Sequence, residues 1–222
     1  MRQDGQIRDA AVLIAVGVEP DGRRKVLGVS VSLGEQEVHW RVFMESLVQR
    51  GLRGVKLIIS DDHAGLKAAR QAVLGGLSWQ RCQFHLQQNA QAYIPRQEMK
   101  AKVAEDIRTI FNAPYRSTAQ RYLAETVKKY EKSASRLANW MEQNLPEGLT
   151  VFAFPAANRR LIRTTNGVER LNREIKRRTR VVGIFPKEAA CLRLVSAVLM
   201  ETSDEWEAGR VYLSLALSGS SS

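Results

Sequence analysis

The stretch Val55-Lys56-Leu57-Ile58-Ile59-Ser60-Asp61-Asp62-His63-Ala64-Gly65 decides how this chain is read. Its apolar run is the length of one buried strand and stops abruptly at two acids. A helix is predicted from about 64 to 73, so the segment reads strand, carboxylates, helix. Ligand and metal sites in open α/β sheets favour that edge, where the strand core holds the backbone still. Either acid alone could instead cap the following helix, since Asp is a preferred N-cap residue. Adjacent acids allow one to cap and the other to project into solvent.

Upstream, residues 9–18 (DAAVLIAVGV) form a nearly continuous apolar run, as expected of a strand covered on both faces. Glu19-Pro20-Asp21-Gly22 reads as a turn, and 25–32 (KVLGVSVS) as the second strand of a hairpin. Residues 35–50 switch to helical period, with Val38, Val42, Leu47 and Val48, joined by Phe43 and Met44, marking the predicted buried side. Downstream, a short segment spans Trp79 to Phe84. From His85 to Pro155 the pattern is almost wholly helical. Ser117-Thr118-Ala119-Gln120 has the form of a capping box, and Pro146-Glu147-Gly148 stops a helix carrying Leu137, Trp140 and Met141. Two more helices are predicted at 164–180 and 187–203, and the Ser-rich end reads as disordered. The organisation is therefore α/β.

The chain has 222 residues, enough for one or two domains, and a net charge of +11 with pI near 10. Such an excess favours a polyanionic partner, most simply nucleic acid. No apolar run is long enough for a bilayer span, and early charges disfavour a secretory leader. Two cysteines, Cys82 and Cys191, cannot frame a disulfide scaffold, which suits a reducing cytoplasm.

Most of the charge is concentrated. Between Arg159 and Arg180 nine cations face two acids, a net of +7. In the helix predicted there, Val168, Leu171 and Ile175 form an apolar stripe, and Glu169 lies about 100° from Val168. Asn172, Arg173, Lys176 and Arg180 continue the polar face from Glu169. Surface ion pairs such as Glu169–Arg173 would add only about 0.2–0.5 kcal/mol each. A phosphate backbone accounts better for so dense a positive segment. The candidate DNA-contacting residues are Arg163, Asn166, Arg170, Arg173, Lys176, Arg177, Arg178 and Arg180. One carboxylate at a strand end and another on a basic helix suit metal-assisted phosphoryl transfer, for which oxygen donors and Mg²⁺ match.

Other chemistries fit less well. Cys82 and His85 are two of the four ligands a structural zinc site needs, and His39 and His63 lie in unrelated segments. A packed Cys with a hydrogen-bonded His seating the helical block is the better reading. Of the four tryptophans, Trp40, Trp79 and Trp206 read as core. Trp140 is the one most open to another role. Neither a nucleotide-binding glycine fingerprint nor a nucleophile elbow occurs.

SDDHAGL (60–66), RCQFHLQQNA (81–90) and TTNGVERLNREIKRRTR (164–180), followed by Phe185-Pro186, closely resemble mutator-type transposases of bacterial insertion sequences, the IS256 family. The similarity runs over nearly all of residues 4–212. It implies an RNase H-like core of the DDE type, interrupted by an all-helical insertion between the second catalytic Asp and the Glu. By that resemblance the second Asp falls on Asp61, the Glu on Glu169, and the C-x-x-H motif on Cys82 and His85. The implied cofactor is Mg²⁺ or Mn²⁺ in a two-metal arrangement. The implied partners are double-stranded DNA, as transposon ends and target, and further copies of the chain. Localisation would be cytoplasmic, with the nucleoid.

No residue matches the family's first catalytic Asp, whose strand would precede Arg2; Asp4 and Asp9 lie downstream of that position. The expectation is a core truncated at its first strand and poor in strand cleavage by itself. The implied domains are 1–84 (core, first part), 85–155 (helical insertion), 156–212 (core, second part) and a disordered tail, 213–222. Three functions are weighed. The first is a DDE transposase segment. The second is a catalytically inactive DNA-binding remnant that modulates a full-length transposase. The third is an unrelated basic protein, structural or associated with RNA.

Overall fold

The computed structural model describes residues 1–3 and 6–214. In chain order the elements are β1 (Arg2–Gln3), β2 (Gln6–Ile7), β3 (Ala11–Val18), β4 (Arg24–Ser32), α1 (Glu37–Gln49), β5 (Leu57–Ser60), α2 (Ala64–Leu74) and β6 (Ser78–Arg81). The helices α3 (Gln83–Ala90), α4 (Lys100–Phe111), α5 (Arg116–Tyr130), α6 (Ser135–Asn144), α7 (Ala156–Ile162), α8 (Asn166–Val182) and α9 (Glu188–Ala208) follow. The chain is α/β and mostly helical, and its described strands pair as three two-stranded sheets.

Contacts divide it into two units. One comprises Met1–Val55, Asp62–Gly76 and the chain from Asn166 onward; the other comprises Lys56–Asp61 and Leu77–Thr165. Sequence reading separated residues at 84, whereas β5 and β6 group here with the helices that follow them.

In the first unit β3 and β4 make an antiparallel hairpin, with a register shift at Ala15/Val16. It is apolar on both faces, as the sequence of β3 demands. Val12, Ile14, Val16, Val26, Val29 and Val31 pack on Leu171 and Ile175 of α8 and on Cys191, Val195, Val198 and Leu199 of α9. Leu13, Ala15 and Leu27 pack on Trp40, Phe43 and Leu47 of α1. Alternation along a strand sends neighbouring side chains to opposite sheet faces, so one hairpin serves two cores.

The face α1 buries matches the predicted one at Phe43, Met44 and Leu47 but not at the three valines. Phe43, Met44 and Leu47 are buried, whereas Val38 and Val42 are 58% and 61% exposed and Val48 is exposed too. Trp40, Phe43 and Leu47, spaced i, i+3, i+7, offer more apolar area than the valines and so win the inner side. The start of α2 comes very close to the loop before α1. A Cβ on Gly65 would stand 2.3 Å from the Glu35 carbonyl oxygen and 2.8 Å from the Glu37 nitrogen. Only glycine permits that approach.

The C-terminal segment returns to the hairpin turn. The amides of Tyr212 and Leu213 donate to the Gly22 carbonyl at 2.8 and 3.0 Å, and Leu213 is buried. The expected tail therefore does not begin at 213; residues 215–222 lie outside the described residues.

In the second unit β5 and β6 are parallel, from Leu57 opposite Ser78 to Ser60 opposite Arg81. The helices that follow bury Leu86, Val103, Ile107, Ile110, Leu137, Met141, Leu145 and Leu149. Gln80, fully buried, ties β6 to this block. Its Nε2 donates to the Gly148 carbonyl (2.9 Å), and its Oε1 accepts from the Val151 amide (2.7 Å). Trp140 is buried and stacks on Tyr93 at 5.3 Å between ring centroids, so it is a core residue after all. The expected capping box is absent. Helix α5 starts at Arg116 with Tyr115 at the N-cap, which places Ser117 inside the first turn. Helix α7, only seven residues long, is too short to show a period in the sequence.

Candidate catalytic carboxylates and nucleic-acid interface

Asp61 directly follows β5, and the backbone beneath it is held from three sides. The Ser60 hydroxyl donates to the Asp61 carbonyl (2.8 Å) and accepts from the Trp79 indole N–H (2.9 Å), while the Ser60 carbonyl accepts from the Cys82 amide (2.8 Å). Its carboxylate is 47% exposed, open enough to take an external ligand. His85 Nδ1 stands 3.8 Å from Asp61 Oδ1. The adjacent C-terminal ends of the two parallel strands thus bring Asp61 and the C-x-x-H segment together, although Cys82 lies 21 residues further along the chain.

Cys82 is the N-cap residue of α3 and fully buried. Its Sγ accepts from both the amide and the hydroxyl of Thr165, at 3.4 and 3.3 Å. The Gln83 amide donates to the Arg163 carbonyl at 3.0 Å. The C-x-x-H motif therefore does two jobs in this unit. Its cysteine clamps the segment ending at Thr165, and its histidine flanks Asp61.

Asp62 belongs to the other unit, where its carboxylate pairs with Lys67 at 3.1 Å. The N-cap position of α2 falls on His63, not on either acid. His63 Nε2 lies 3.8 Å from Glu35 Oε2.

Glu169 sits in the first turn of α8, where a carboxylate interacts favourably with the helix dipole. It is half-buried beside the Leu171–Ile175 stripe. Arg170, Arg173, Lys176, Arg177, Arg178 and Arg180 are exposed, as is Asn166. They are not equivalent. Glu174 binds Arg177 through both carboxylate oxygens (2.8 and 2.6 Å) and Arg178 at 2.9 Å. Hydrogen bonds from these two guanidiniums hold the Glu174 carboxyl at about 2, well below the carboxylate norm. Arg178 also reaches Glu201 on α9 at 3.8 Å. Spacing of i+3 and i+4 could have shown this pairing beforehand.

Arg163 belongs to the other unit, half-buried, with its Nη1 donating to Asn112 Oδ1 at 2.7 Å. Burial, reinforced by the nearby Arg160 charge, lowers its pKa. Sequence reasoning missed Arg24. Its guanidinium lies between the Trp206 and Tyr212 rings, at 4.2 and 4.5 Å from their centroids. Nothing in the spacing announces a contact between residues so distant in the chain.

The model of the Mutator family of transposases matches residues 1–209. The chain belongs to that family. It is 59% identical over 213 residues to the transposase for insertion sequence element IS406 of Burkholderia multivorans, covering 96% of this chain and 55% of that protein. Identity to the IS1081 transposase of Mycobacterium tuberculosis is 39% over 219 residues, or 97% of this chain and 52% of the relative. To the IS256 transposase of transposon Tn4001 from Staphylococcus aureus it is 32% over 212 residues, or 93% and 53%. The chain spans about half the length of the curated relatives it matches. Among the described residues, no helix is long and apolar enough to cross a membrane.

Proposed function

We infer that this chain is the carboxylate-bearing segment of a DDE transposase that moves an insertion sequence, acting on double-stranded DNA. The observation that carries the reading is the Mutator-family match across residues 1–209 with Asp61 at a strand end and Glu169 at the head of an arginine-rich helix. In this reading 1–84 and 156–212 supply an RNase H-like core and 85–155 an all-helical insertion. Asp61 and Glu169 are its metal-ligating acids. Both offer hard oxygen donors, and the half-exposed Asp61 carboxylate fits a divalent cation such as Mg²⁺ or Mn²⁺. Such ions supply charge stabilisation for in-line phosphoryl displacement. Arg170, Arg173, Lys176 and Arg180 hold the phosphate backbone without reading bases, and His85 positions Asp61. Transposon ends and target are the substrates, further copies of the chain the protein partners, and the bacterial cytoplasm with its nucleoid the site of action.

The test is binding of Mn²⁺ and of duplex DNA by the full chain. Wild type is expected to bind Mn²⁺, with binding lost in Asp61→Asn and in Glu169→Gln. Duplex affinity is expected to fall steeply with salt, with a shallower slope in Arg173→Glu/Lys176→Glu. Salt-independent DNA binding, or Mn²⁺ affinity untouched by both acid variants, overturns the reading. DNA binding that survives without any Mn²⁺ affinity would favour the inactive DNA-binding remnant.

A further inference from the structure

The end of α8 and the turn that leads to α9 break the usual relation between exposure and polarity. Val181 is 88% exposed, and Val182 and Ile184 are each 46% exposed. Gly183 between them has φ of +71°, a left-handed turn that glycine adopts readily. Phe185, the next residue, packs against the hairpin–helix core of the same unit. One aromatic anchor thus fixes the turn while three apolar side chains stay in water. Scattered exposed hydrophobes are ordinary, but three within four residues on a fixed tip are a patch that a partner would cover.

The surrounding charge says which partner. Lys176, Arg177, Arg178, Arg180 and Lys187 flank the tip, and no acid occurs between Glu174 and Glu188. An apolar protein surface would have to bring a matching acidic rim, whereas a nucleic acid presents phosphates around an apolar base stack. Proteins that bend DNA insert apolar side chains at a base step while cations hold the flanking phosphates. The geometry points to the Val181–Ile184 tip as a wedge that enters duplex DNA from a groove and unstacks a base step.

The inference rests on the proposed function, because Arg173, Lys176 and Arg180 must be on the DNA for the tip to reach it. Twelve residues of α8 separate Glu169 from Val181, about 18 Å at the helical rise. At 3.4 Å per base step, the disturbed step is expected within about five steps of the phosphate nearest Glu169.

The experiment uses the full chain, its matching insertion-sequence end, and 2-aminopurine placed at successive positions in the duplex. Wild type is expected to raise 2-aminopurine fluorescence at one or two adjacent positions. The Val181→Ser/Val182→Ser/Ile184→Ser variant is expected to cut that rise at least about fivefold while the salt slope of binding stays unchanged, because phosphate contacts set the slope. The three side chains are exposed, so circular dichroism should show the variant folded; Val182→Ser alone serves if it is not. A wild type that does not bind duplex at all sinks the proposed function itself. Salt-dependent binding without a fluorescence rise at any position sinks only the wedge. So does a full rise in the triple variant. Concentration-dependent self-association that the triple variant abolishes, with no fluorescence rise, would assign the tip to a second copy and also overturn the proposal.

Discussion

At the scale of single residues, the polar groups buried in the second unit make sharp demands. Gln80 satisfies the Gly148 carbonyl and the Val151 amide at once, with a further bond from its Nε2 to the Arg81 carbonyl (2.7 Å). Replacing it by leucine keeps the volume but leaves the Val151 amide without that acceptor. Gln80→Leu is expected to destabilise the chain by about 1–3 kcal/mol in urea denaturation, the cost of one unmet buried group. A loss under about 0.5 kcal/mol would mean that water replaces the side chain. Glu174 makes the opposite kind of prediction. Its carboxyl titrates near 2 instead of 4.5, so any stability it adds is present above pH 4.5 and disappears as pH falls toward 2. Glu174→Gln releases Arg177 and Arg178 from their shared acid. Duplex affinity should rise, and the log–log salt slope should steepen by up to about 1–2 as further phosphates are neutralised. An unchanged slope would place both arginines away from the DNA.

At the scale of elements, most strands and helices were legible because their periods are strong. The hairpin announces itself by an apolar run, a turn and an alternating run, and α8 by Leu171 and Ile175 within a field of cations. What escaped depended on partners distant in the chain. The inner face of α1 follows from what the hairpin offers it, and valine spacing alone cannot distinguish it from the outer face. Trp140 shares an apolar pattern with Leu137 and Met141, but only its stacking on Tyr93, distant in the chain, assigns it to the core. The boundary between α5 and its cap failed because a Ser-x-x-Gln pattern inside a helix looks the same as one at its start. Of the candidate site, Asp61, Glu169 and the basic face could be named from sequence, but the proximity of His85 to Asp61 required the β5–β6 register. Helices α4 and α5 carry an acid-sensitive tie. Burial raises the Asp106 pKa, but hydrogen bonds from Lys129 and Tyr130 (2.7 Å from the hydroxyl) outweigh it and hold the carboxyl below 3.8. Its contribution is therefore present above pH 3.8 and lost below it. Stability curves of wild type and Asp106→Asn should differ at neutral pH and converge only as pH falls below 3.8, through the depressed pKa of the folded state. A constant offset down to strong acid would contradict the assignment.

At the scale of the whole molecule, the unit boundaries differ from the simple picture of an insertion that can be lifted out. Strand β6 depends on the block that follows it, through Gln80 and through Arg81, whose Nη1 donates to Asn144 (2.9 Å) and Glu147 (3.0 Å). Replacing residues 85–155 by a short flexible linker is therefore expected to abolish amide protection in β5 and β6. Hydrogen exchange reads this directly, and protected amides at 57–60 in the deleted chain would show the block to be dispensable.

The two-faced hairpin has a consequence for biosynthesis. Its α1 side finds a cover soon after translation passes Gln49, but the side bearing Val12, Ile14, Val16 and Val29 waits for α8 and α9. At roughly 5–20 residues per second, Leu199 leaves the ribosome on the order of 10–30 s after Ser32. Through that interval a nascent chain carries an uncovered greasy sheet, a natural client for chaperones. Its yield in cells should therefore follow the speed of elongation as much as the equilibrium stability of the finished protein.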